Sequence, residues 1–536
     1  MNSRGLQLAG LLAGLWLNAG PARAADGEAR PVVRLGNGDE PQDLDPQLIT
    51  GEPEYRILMA LFEGLAAMDP KDLHPVPGLA ESWDISPDGL IYTFHLRANL
   101  QWSNGDPLTA DDFVQSYQRM LTPAFGSEYA YLLYNFVQGA EDYFHGKITD
   151  FSQVGFRAVD ERTLRITLKQ PCSFLIKIIA NHWAWDALPV KVIARFGPLA
   201  QRGSSWTRPG NLVGDGPFVL KEWRPQQKIA VSRNPHYWDA ANVKSDEIEF
   251  YPTQDLVTEE RMFRGGQLDA TYELPPDKIA VYRRQYPADL MIEPALMVEY
   301  YECNVAQPPL NDPRVRRALA LAFDRERIVR YVTRGEEQPA YVLSYPGTAG
   351  YTPRAALVPN VAEAQRLLAE AGYPGGKGFP PLEMLYNTQL SHQQVAEAVQ
   401  EMWRKNLGIE IQLHNEEWKV YEDAVQNHHY QIARAAWGAD YIDPNAFLEI
   451  WETGNGNNFT GWSNPEYDRL FHSALKEQNE STRYETYQKM DAILMDECPI
   501  LPIYHYTRVY ALNPKIRGWW PTLLDLHPWK YVYREN

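Results

Sequence analysis

Cysteine is scarce in this chain of 536 residues: only Cys172, Cys303 and Cys498 occur. Three cysteines at wide spacing build no disulfide framework and form one bridge at most. Free, buried thiols behaving as small hydrophobes are the expected state. Basic charge is in deficit too, with 51 Lys and Arg against 69 Asp and Glu, a net charge of −18. Such a surface argues against a nucleic-acid footprint and against docking on anionic lipid. No apolar run reaches the roughly 20 residues that a membrane span requires. There is no Gly/Ser tether, low-complexity tract or repeat of 20–50 residues.

Catalytic signatures are missing as well. There is no G-x-S-x-G elbow, Walker A loop or H-E-x-x-H helix, and Gly36-x-Gly38 lacks the third glycine of a dinucleotide loop. His428 and His429 are adjacent, so their side chains diverge and are expected to be solvated rather than to hold a metal. Nothing argues for an enzyme, and no cofactor is implied.

What is present begins with a leader. Arg4 precedes a short run rich in Leu, Ala and Gly at residues 6–17, and Pro21-Ala22-Arg23-Ala24 has small residues at the positions of a secretory cleavage site. The expected mature chain starts near Ala25, without a lipid-anchoring cysteine. Removing Arg4 and Arg23 deepens its charge to −20. The remainder exceeds the roughly 250–300 residues that one core supports, so two or three domains are expected.

Alternating apolar positions predict strands at 32–35, 90–96, 382–386 and 409–413. Thr109 reads as an N-cap before Asp111, Asp112 and Phe113, and Asp312-Pro313 as a cap followed by proline at the first helical position. Asp324 opens a helix expected to run to Gly335. Further helices carry Ala364, Leu367 and Leu368, then Val395, Val399 and Trp403. This helix–strand alternation implies an α/β architecture with covered sheets.

Sixteen Trp and thirty-one Tyr suit a wet cavity that accepts varied groups, although any single one is more simply a core residue. One segment is more specific. Residues 433–444 (Ala-Arg-Ala-Ala-Trp-Gly-Ala-Asp-Tyr-Ile-Asp-Pro) place Arg434 and Asp440 in an apolar strand. A zwitterionic ligand such as a peptide needs an anion at its ammonium end and a cation at its carboxylate end. Asp440 and Arg434 suit those roles, and an internal ion pair between them is the equally simple alternative.

Several motifs together resemble a known family. Leu79-Ala80-Glu81-Ser82-Trp83-Asp84, Tyr92-Thr93-Phe94-His95-Leu96-Arg97, Trp102-Ser103-Asn104-Gly105 and Thr109-Ala110-Asp111-Asp112-Phe113 are similar to the signature region of the large peptide/nickel solute-binding proteins. Asn311-Asp312-Pro313-Arg314-Val315-Arg316, residues 367–373, residues 385–388 and the run 437–444 extend the resemblance over the whole mature chain.

The resemblance implies a three-domain α/β periplasmic binding protein of the class II, cluster C type, whose two lobes close over a ligand cleft. Domain I would take residues 25–62, 188–296 and 508–536, domain II 63–187, and domain III 297–507. It implies a monomeric receptor that hands short peptides to an inner-membrane ABC permease, with no membrane insertion. Asp440 then receives the ligand ammonium, and Arg434 and His392 neutralise its carboxylate. Trp437 and Trp418 wall side-chain pockets, Glu302 contributes to the site, and Thr50-Gly51-Glu52 and Ala436-Trp437-Gly438 pair with the peptide as strands. Oligopeptide binders of the family carry glutamate in place of Thr50, lysine in place of Thr333, and a cysteine pair in place of Met297 and Gly438. These departures leave open peptide length, a murein peptide or dipeptide, and same-fold ligands such as haem, nickel chelates, sugars or opines. A periplasmic enzyme or chaperone using the cleft is the alternative of another class.

Overall fold

The architecture of this chain, seen in a computed structural model, is described for residues 31–536 except 50, 335, 336, 417 and 440, with the side chains of 390, 418, 419 and 422 left aside. The expected leader and its cleavage point lie outside the described residues.

The strand at the chain start, Val33–Gly36, pairs in parallel with Glu247–Tyr251, and Lys228–Arg233 and Phe218–Arg224 complete a four-stranded sheet. A second four-stranded sheet is wholly antiparallel, ordered Ala80–Ile85, Ile91–Leu96, Thr163–Thr167, Phe156–Asp160. The alternation read at 90–96 is real: Tyr92, Phe94 and Leu96 are buried and their neighbours half-buried. Helix Ala110–Leu121 is closed at its start by a capping box. There the Thr109 amide donates to Asp112 Oδ2 at 2.8 Å.

The largest sheet has six strands, ordered Gln338–Pro339, Ile500–Ala511, Leu290–Cys303, Ile432–Gly438, Leu382–Asn387, Ile411–Glu416. Its last pair is parallel and joined by helix Leu390–Leu407, a right-sized crossover for such a unit. Trp403 of that helix is fully buried, and its Nε1 donates to the Leu319 carbonyl at 2.9 Å. Helix Pro313–Leu321 begins at the expected Asp312 cap, and helix Val361–Glu370 is capped by Asn360. The helix opened by Asp324 stops earlier than expected, at Tyr331. Arg334 adopts φ 71°, a left-handed conformation that no helix continues through.

Leu290–Cys303 and Ile500–Ala511 are much longer than the other strands. One end of this antiparallel pair reaches the first sheet, because Ala270 bridges both Leu35 and Leu512. The other end lies in the six-stranded sheet. Pairing slips between Pro294 and Val298, so the register breaks where the two parts meet. All three cysteines are buried and free, as expected. Among the described residues, no helix is long and apolar enough to cross a membrane.

Candidate ligand-binding site

Strand Ile432–Gly438 supplies the central feature. Along one edge it pairs residue by residue with Met297–Cys303. Along the other it pairs only at Ile432 and Ala433, with Met384 and Leu385. Beyond Ala433, no strand among the described residues covers that edge. The side chains of Ala436 and Trp437 and the backbone of Gly438 are half-buried there. Opposite Gly438 in register stands Met297. A Cβ on Gly438 would meet the Met297 methyl at 3.2 Å, so these two facing positions are filled by thioether packing and no bridge.

Gly51 lies in extended conformation immediately before helix Glu52–Leu61. Glu52 Oε2 accepts from the Tyr272 hydroxyl at 2.9 Å, and Arg508 binds the other oxygen. A cavity of about 150 Å³ is lined by both Glu52 and Ala439. The two segments singled out in the sequence thus flank one space. Thr50 and Asp440 lie outside the described residues. Trp418 begins helix Trp418–Gln426, and its side chain is among those left aside.

The two faces of the open strand differ. On one, Trp437, Ala435, Tyr300 and Phe459 line a cavity of about 180 Å³ that Glu302 also reaches. Trp437 is held in place by its Nε1, which donates to the Ala446 carbonyl at 2.7 Å. Glu302 is buried, and its Oε1 has no hydrogen-bond partner. Burial pushes its pKa up to about 8, against the opposing hydrogen bond from Tyr430. At neutral pH this carboxyl is mostly protonated and uncharged.

On the other face Arg434 is paired with a group that the sequence reading did not name. Its Nε donates to Glu299 Oε1 at 2.6 Å and its Nη2 binds Glu299 Oε2, a two-point pair. Tyr506 joins both, accepting from Arg434 at 2.8 Å and donating to Glu299 at 2.6 Å. Burial opposes the guanidinium charge, but Glu299 and Tyr506 hold its pKa above the ordinary value. His392 lies nearby and buried with Nδ1 unpartnered. Burial first, and the Arg434 charge second, lower its pKa, so it is neutral.

Glu299 escaped the sequence reading because it is 135 residues from Arg434, and no spacing rule connects positions on different strands. A second missed group is Asp443. It is fully buried and accepts from Arg483 Nη1 and Nη2 at 2.8 and 2.9 Å and from Lys177 Nζ at 3.0 Å. Lys177 belongs to helix Leu175–Asn181, so this carboxylate ties the end of the 433–444 segment to a distant helix. His428 and His429 are exposed, and His428 Nδ1 lies 2.8 Å from the Phe459 carbonyl.

The raised Glu302 pKa carries a stability signature. The folded chain keeps a proton that the unfolded chain releases between about pH 4.5 and 8, so stability falls as pH rises through that window. Glu302→Gln removes this contribution. Urea denaturation at pH 5, 6.5 and 8 is expected to give a shallower pH slope for the variant than for the natural protein. Other buried groups contribute to both slopes alike: Asp491 and Glu259, raised to about 7, act in the same sense as Glu302, and His182 and His505, lowered to about 3, act in the opposite one. An unchanged slope would place the Glu302 proton elsewhere.

Comparison with known proteins adds the context of this geometry. Residues 74–459 match the model of the bacterial extracellular solute-binding proteins, family 5 middle. The periplasmic oligopeptide-binding protein of Salmonella typhimurium is 36% identical, covering 97% of this chain and 96% of its own. The unliganded open form of a periplasmic murein tripeptide-binding protein superposes with a TM-score of 0.82 at 34% identity, over 95% of this chain and 98% of that one. A Haemophilus influenzae oligopeptide-binding protein complexed with the peptide RPPGFSPFR gives 0.75 at 31% identity, over 95% and 100%.

Proposed function

Because the chain belongs to the family 5 bacterial extracellular solute-binding proteins, we propose that it is a receptor that captures short peptides for an inner-membrane ABC importer. The observation that carries this reading is the open edge of strand Ile432–Gly438, whose next residue, Ala439, lines a cavity together with Glu52. An extended peptide laid on that edge hydrogen-bonds through its main chain, which recognises any sequence. Its side chains then point alternately to the two faces of the sheet. One face offers the aromatic cavity under Trp437, wide enough for varied groups with water filling the remainder.

In this reading Gly51 and Glu52 border the ligand from the opposite side, and Asp440 takes its ammonium group. Thr50 and Trp418 complete the border and a pocket wall. The lobes would be domain I with 25–62, 188–296 and 508–536, domain II with 63–187, and domain III with 297–507. The register break at Pro294–Val298 lies at the boundary between the first and third, where closure needs a bend. The leader ending near residue 24 would deliver the mature chain to the periplasm, where it works as a monomer without a cofactor and without chemistry on its ligand.

Native mass spectrometry of protein purified from the periplasm tests the reading. A ladder of peptide masses released on denaturation is the expected result. A single homogeneous non-peptide adduct would overturn it, and hydrolysis of an added peptide pool over hours would favour an enzyme.

A further inference from the structure

A guanidinium at the open edge would be the natural partner for a ligand carboxylate, since its five N–H donors match two oxygens. Here Glu299 already occupies that fork. It projects from the neighbouring strand, where it stands opposite Ala436 in register. Its two oxygens take Nε and Nη2 of Arg434, and the Tyr506 hydroxyl closes the triangle. The carboxylate is 1% exposed and the guanidinium side chain 11%. The pair is therefore built into the wall rather than a mobile surface contact.

Among the described residues around the pair, His392 supplies no further positive charge. His392, buried beside the pair, is held neutral by burial and by Arg434. Across the sheet, Glu302 is largely protonated at neutral pH and carries no charge. A carboxylate brought to this edge would have to displace Glu299, leaving one anion buried without a partner. An amide or an uncharged side chain meets no such penalty.

Resting on the peptide reading above, we propose that Glu299 is a specificity-determining residue: by neutralising Arg434 it makes this part of the cleft accept an uncharged ligand group and reject a terminal carboxylate. The ligand class follows. It is a peptide that continues past Arg434, or one whose C-terminus is blocked, rather than a short peptide ending there as a free acid.

Calorimetry at pH 7 with alanine peptides of two to five residues, each as free acid and as C-terminal amide, tests this in the natural protein. At the shortest length that binds, the amide is expected to bind at least as tightly as the acid. In Glu299→Gln, which keeps shape and one acceptor, the acid-to-amide affinity ratio is expected to rise at least tenfold. A natural protein that prefers the acid tenfold or more would overturn the inference and leave the peptide reading intact, and this comparison needs no folded variant. A ratio unmoved in a folded Glu299→Gln protein would overturn it too. If no alanine peptide of either form bound either protein, the peptide reading would fall, and the inference with it.

Discussion

Asp443→Ala is expected to destabilise the protein by about 3–5 kcal/mol, the largest single stability effect foreseen for this chain. The reason is asymmetry. Asp443 is 0% exposed and Arg483 2%, and the carboxylate holds both guanidinium nitrogens at 2.8 and 2.9 Å. Removing the anion leaves a buried cation whose one remaining carboxylate neighbour among the described residues is the half-exposed Glu480, 3.7 Å away and shared with Lys177. Lys177, at 22% side-chain exposure, retains Glu480 at 3.1 Å and can turn toward water. Arg483 cannot, because Phe174, Tyr484 and Tyr487 surround it at 5.4–5.6 Å. Denaturant titration followed by tryptophan fluorescence measures the loss. Replacing both partners by apolar residues, Asp443→Leu with Arg483→Met, is expected to recover most of it. A single-variant loss below about 1 kcal/mol would show that solvent reaches Arg483 after all.

Asp440→Ala is expected to weaken peptide binding by on the order of 2–5 kcal/mol, a loss of roughly 30-fold to several thousand-fold. The expectation follows from its assigned role, receiving the ligand ammonium inside a closed cleft. Truncation leaves that charge in the closed cleft without its carboxylate partner. Chemistry on the ligand provides the complementary half of the cycle. An N-acetylated peptide should bind the natural protein about as poorly as the free amine binds Asp440→Ala, and acetylation should cost the variant little more. Equal affinity of the natural protein and Asp440→Ala by calorimetry would remove this residue from the site.

Much of the fold is legible in local sequence pattern. The capping box at Thr109–Asp112, the Asp312-Pro313 helix start and the alternation of Tyr92, Phe94 and Leu96 are all short-range signals, and each marks a real element. The early stop at Tyr331 shows the limit of such signals, since Gly335 offered a plausible later end. At the site, the segment around Trp437 is recognisable by its mixture of charge and apolar strand. Its partners are not. Arg434 is satisfied by Glu299 and Asp443 by Arg483 and Lys177, groups brought together only by strand order and by helix packing across the molecule. The long strand pair likewise carries no local mark of joining two sheets, because its register break is a property of two segments aligned over some 200 residues of separation.

The uncovered edge beyond Ala433 also bears on how the protein behaves without a ligand. Although the Arg434 carbonyl accepts from the Tyr421 hydroxyl, backbone groups without a strand partner in extended conformation are a template for any passing strand, including one from another copy of the same chain. A peptide bound there as proposed would shield these groups from such encounters. The unliganded form is therefore the one prone to self-association, and concentrated stocks should keep best when loaded. The edge is only five residues long, which limits how far a foreign strand can zip along it.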